Sequence, residues 1–198
     1  MFLNKDCAQM MHLLKIKYKQ KKKAWKADFG NRRLAVEAGF IYNIYNDIVF
    51  LLSTPLKARN ERYFMLILRN CLEQVIIFRY LEQKSKTNPD IFLDYMGDNV
   101  DLDAICEEQD AFEILKKLGG NRTTQYKNKF YHMAKEFEDT NCDTSLYKFY
   151  GMCADYCHSS YYHSIGNIIC KEKKCKKENI LAVILVVLTE FYAGFDVA

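Results

Sequence analysis

The chain predicts an all-α fold, a single-domain helical bundle of about seven helices. Three observations carry that prediction. Only 2 Pro and 8 Gly occur among 198 residues, too few turn formers for a sandwich or barrel. Apolar residues make up 49% of the chain and charged residues 27%, which excludes a disordered tail or a linker. A mass of 23.3 kDa is ample for one core and short for two domains.

The first helix is expected over residues 5–26, amphipathic at its start and lysine-rich at its end, closed by Gly30 and Asn31. A second covers 32–52 and stops ahead of Pro55, because the residue before proline disfavours helical geometry. The third, 57–84, is the most hydrophobic and ends where residues 85–89 break the chain, with a short helix over 90–96. Asp101 is a plausible cap for a helix to Leu118, terminated by Gly119 and Gly120. Residues 123–138 form the next helix, 139–143 a turn and cap, 144–170 a long helix, and 178–193 the last. Val and Ile in that last segment suit a strand too, but no partner strand lies nearby. The organisation is one domain, 1–198: a lysine-rich N-terminal helix (1–30), a helical core (31–170), then a basic turn and an apolar helix (171–198).

Net charge is +4, but unevenly placed. Residues 15–33 hold seven Lys and two Arg against one Asp, and 171–177 hold five Lys against one Glu. Residues 88–120 carry nine carboxylates against two lysines. Such a molecule suits a polyanion on its basic side, although solvated helix faces give the same pattern.

Eight cysteines are well short of disulfide-scaffold density, and the first residues lack the apolar region and cleavage site of a secretory signal. A cytoplasmic chain with reduced cysteines is therefore expected, and the sequon at Asn121 is fortuitous. Residues 180–188 are nine unbroken apolar residues, against the roughly 20 a bilayer span needs. A core helix or an oligomer contact suits them better. The neighbouring lysine cluster keeps a membrane surface among the alternatives.

Polar residues inside apolar helices are the candidates for function. Arg69 and Glu73 have the i,i+4 spacing of an ion pair in a helix that is apolar nearly all round, so at least one of them faces inward. His158 shares a helical stripe with Tyr147, Gly151, Ala154, Tyr162, Ile165 and Ile169, read as inward-facing; such a histidine suits acid–base work or a core hydrogen bond. Cys153 and Cys157, with Cys170 and Cys175 downstream, are spaced poorly for zinc, which prefers knuckles to mid-helix positions. No metal or cofactor is expected. Phosphate-loop, dinucleotide, zinc-protease and nucleophile-elbow motifs are missing, and Asp98, Asp101 and Asp103 lack the rest of a calcium loop.

The helix reading Leu68-Arg69-Asn70-Cys71-Leu72-Glu73, followed by Tyr150 and then Tyr156-Cys157-His158-Ser159-Ser160, resembles uncharacterised bacterial all-helical proteins similar to the HEPN superfamily of defence systems. The resemblance covers residues 31–170. It implies a helical bundle, commonly a homo-oligomer, that cuts RNA without a metal through an arginine and a histidine. His158 matches that histidine. The motif's arginine falls at Gly151, Met152 or Cys153, none of them basic; in this reading Arg69 would supply the cation from the neighbouring helix, with Glu73 orienting it or His158.

The expected function is therefore an antiviral-defence protein acting on RNA, as a metal-independent endoribonuclease or a degenerate binder. A base near neutral pKa and a cation for the phosphorane would be His158 and Arg69. Lys19, Lys21, Lys22, Lys23, Lys26, Arg32 and Arg33 would hold the backbone, and Tyr156 or Tyr162 would stack a base. The alternative is a non-enzymatic helical accessory module for a partner protein or membrane surface. In it Arg69, Glu73 and His158 form a polar network fixing helix register.

Overall fold

A computed structural model describes residues 2–57, 60–92, 95, 126–158 and 176–195. The described residues are all-α, with six helices: α1 (Phe2–Ala27), α2 (Arg32–Ser53), α3 (Glu61–Lys84), α4 (Tyr126–Lys135), α5 (Leu146–His158) and α6 (Lys177–Ala193). The expected helix over 101–118, the basic turn at 171–175 and residues 159–170 lie outside the described residues.

The boundaries fall where side chains satisfy the free backbone groups of helix ends. Asn31, expected to close α1, instead caps α2, its side chain accepting from the Leu34 N–H at 3.1 Å. α3 begins at Glu61 rather than 57 because Asn60 staples the preceding turn. Its Oδ1 accepts from the Lys57 N–H at 2.7 Å and its Nδ2 donates to the Pro55 carbonyl at 2.9 Å. α4 stops three residues short of 138, and α5 starts at Leu146 rather than 144, for one shared reason. The Glu138 carboxylate leaves the helix and accepts the N–H groups of Leu146 (2.8 Å) and Tyr147 (2.9 Å), capping α5 from outside it. Ser145 Oγ takes the Lys148 N–H at 3.2 Å and completes the cap.

α3 is the central helix, packed against α2, α4, α5 and α6, while α1 lies across α2 and α6. Its apolar residues on several sides meet those neighbours: Phe64, Leu68, Leu72, Val75, Ile76 and Phe78 are all buried. Burying each such side chain contributes roughly 1.5–3 kcal/mol. The densest contact is aromatic. The Phe78 ring lies 4.8 Å from Phe191, 4.7 Å from Phe195 and 5.8 Å from Phe40, joining α2, α3 and α6. Gly194 follows α6 at this point, and a Cβ there would stand 2.7 Å from the Phe78 ring, so only glycine admits the approach.

The apolar run of α6 belongs to this core, with Ile184, Val187 and Phe191 completely covered. By length and composition α2 is the one helix among the described residues that could cross a membrane. Its stripe of Val36, Phe40, Ile41, Ile44, Ile48 and Leu51 is instead buried in the bundle.

Candidate functional site

Two polar clusters interrupt this core. The first sits on the seam of α3 and α5. Arg69 Nε donates to Glu73 Oε1 at 2.9 Å, and the side chains retain only 28% and 24% exposure. The guanidinium lies 5.7 Å from the Tyr150 ring centroid and also interacts with its hydroxyl. Cys157, on the next turns of α5, is buried nearby.

The electrostatics follow from burial. Burial pushes the Glu73 carboxyl up, against the pull of Arg69. It raises the Tyr150 phenol too, with Glu73 adding to the shift and Arg69 opposing it. The Cys157 thiol is raised by burial despite Arg69 and Arg62, which keeps it out of its nucleophilic form. For Arg69 burial acts downward, but Glu73 and Tyr150 outweigh it and hold the charge. This arrangement positions α5 on α3 by a paired cation. Glu73 takes the Nε–H of Arg69, an arrangement that orients the guanidinium while its Nη groups carry further donors.

The covered stripe of α5 runs through Leu146, Cys153 and Cys157, whereas Tyr147, Gly151 and Ala154 are only half-buried. The stripe read as inward-facing is thus the shoulder of the helix. His158 ends α5; its side chain, like all of Tyr162, lies outside the described residues.

The second cluster ties α1, α2 and α3 together. Glu37 is 1% exposed and Glu82 7%. Arg33 bridges them, Nε to Glu37 Oε1 at 3.0 Å and Nη2 to Glu82 Oε2 at 2.5 Å, and Lys21 reaches Glu37 from α1. Lys21 and Arg33, assigned to phosphate from sequence, therefore have carboxylates of their own chain as first partners. Sequence reasoning passed over Glu37 and Glu82. The i,i+4 spacing of Arg33 and Glu37 was a legible signal, but Glu82 comes from 49 residues away.

Burial and the neighbouring Glu37 push Glu82 up to about 7, against Arg33 and Lys21. The folded chain then holds a proton that the unfolded chain releases between the ordinary carboxyl range and neutrality, so stability falls as pH rises through that window. Melting temperatures at about pH 5 and about pH 8 should show the fall, and Glu82→Gln should flatten it by roughly 1–3 kcal/mol. Equal slopes in the two proteins would refute the assignment.

The remaining cationic residues are on the surface. Lys15, Lys19, Lys22, Lys23 and Lys26 of α1 and Arg32 of α2 are exposed, and among the described residues none is paired with a carboxylate. Lys22 lies over the Tyr18 ring, 5.5 Å from its centroid. Tyr156 faces away from them. It lines an apolar cavity of about 220 Å3 between α3, α5 and α6, with Met65, Leu68, Phe149, Met152 and Val183. Among the described residues no three His, Cys, Asp or Glu side chains gather as metal ligands.

No family model matches this chain, and neither does any curated protein or solved structure.

Proposed function

We propose that this chain is a HEPN-like defence protein that acts on RNA, and that it works as a binder rather than a nuclease. The observation that carries the proposal is the unpaired lysine face of α1. Five exposed lysines with Arg32 beside them offer a phosphate strand a row of cations that have no carboxylate partner among the described residues. Against catalysis stands the sequence of α5, where Gly151, Met152 and Cys153 occupy the positions at which the resemblance expects an arginine.

Incubation with labelled single-stranded and structured RNA in EDTA, alongside His158→Ala, separates the alternatives. Salt-sensitive binding without cleavage is the expected result. Cleavage that survives chelation and disappears in the variant would restore the metal-independent nuclease, with His158, Arg69 and Glu73 as its residues.

One observation favours a second reading, an accessory module that docks a partner protein or another copy of the chain. The apolar cavity between α3, α5 and α6 opens beside Met152, which is 64% exposed. Absence of both RNA binding and cleavage would shift the proposal to that module.

A further inference from the structure

A polar groove of about 480 Å3 runs between α2 and α3, lined by Tyr42, Asn43, Asn46, Asp47, Asn70 and Gln74. Its volume falls within the usual range of small-molecule sites. Ile77 and the buried Phe40 form its apolar floor, and Tyr95 is stacked on Phe40 with ring centroids 6.0 Å apart. Asn70 Nδ2 donates to Asp47 Oδ2 at 2.9 Å, which holds the carboxylate in place across the two helices. Gln74 Oε1 is buried and has no hydrogen-bond partner among the described residues.

Aromatic faces beside carboxamides are how proteins take up unpaired nucleobases, by stacking and by hydrogen bonds to the base edge. The groove also adjoins the lysine face. The Tyr42 ring contacts Tyr18 of α1 at 6.0 Å, and Tyr18 in turn carries Lys22 over its ring. A strand whose phosphates follow the α1 lysines therefore passes the mouth of the groove.

We propose that the α2–α3 groove is a nucleobase subsite for single-stranded RNA. This rests on the reading of the α1 face as an RNA-binding surface. The carboxamides of Asn43 and Asn46 and the Asp47 carboxylate line the groove beside Tyr42, and every base offers N–H or carbonyl groups on its edge for such partners.

Binding of the full-length chain to labelled oligo(rA), oligo(rC), oligo(rU) and an abasic phosphodiester strand of equal length tests this. Each of the three base-bearing strands should bind roughly tenfold tighter than the abasic strand. Tyr42→Ala, at a ring 54% exposed and so tolerant of change, should remove most of that margin and leave abasic binding unaltered. Equal binding of all four strands, unaffected by Tyr42→Ala, would overturn the subsite and leave the phosphate-binding face standing. Failure of every strand to bind would overturn both.

Discussion

Phe78→Ala is expected to cost about 3–5 kcal/mol. Phe78 is completely buried and touches three other aromatic rings contributed by α2, α6 and the turn after α6. Its removal opens a cavity that those rings cannot all fill, because Phe40 and Phe191 are themselves buried within their helices. Edge-to-face contact with Phe191 adds to the loss beyond the area exposed. Urea denaturation measures the effect. A cost below about 1 kcal/mol would mean that α6 does not dock on α3 as described.

The second large effect concerns the α3–α5 seam. Arg69→Ala is expected to destabilise by about 2–4 kcal/mol, since it leaves the Glu73 carboxylate three-quarters covered with no cation beside it. The value lies somewhat below that of a fully buried pair because water still reaches part of both side chains. The double variant Arg69→Met with Glu73→Leu should recover most of the loss, as apolar replacement of a covered ion pair often does. If Arg69→Ala were as stable as the parent, solvent would be satisfying Glu73 and the pair would be free for other work. RNA binding through the α1 face should survive in either variant, whereas a catalytic Arg69 would show itself in lost cleavage at unchanged stability.

The fold was legible where local chemistry dominates. Low proline and glycine content, the lysine-rich first helix and the apolar third and last helices each became the expected element within a few residues at the described ends. The residues that moved the boundaries act at a distance along the chain. Glu138 caps α5 from eight residues upstream, and Asn60 reaches back to Pro55. Neither pattern is a local capping signature.

The candidate site divides in the same way. Arg69 and Glu73 could be paired from spacing alone, but Tyr150 joins them only because α5 packs on α3. Lys21 and Arg33 looked like members of the basic surface because local charge density shows no tertiary partner. Folding brings Glu37 and Glu82 to them. The stripe of α5 was misjudged for a simpler reason. Cysteine packs as a small hydrophobe, so Cys153 and Cys157, and not the half-buried Tyr147, Gly151 and Ala154, mark the covered face.

The central claim is that exposed lysines of α1 hold an RNA backbone, and the salt dependence of binding measures this most directly. Binding of single-stranded RNA to the full-length chain should weaken linearly in logarithmic coordinates as salt rises, by about 0.7 in slope for each phosphate neutralised. Lys19→Ala, Lys22→Ala and Lys23→Ala combined should lower that slope by about two, with the melting temperature unchanged. Identical slopes and affinities for the parent and the triple variant would contradict the claim.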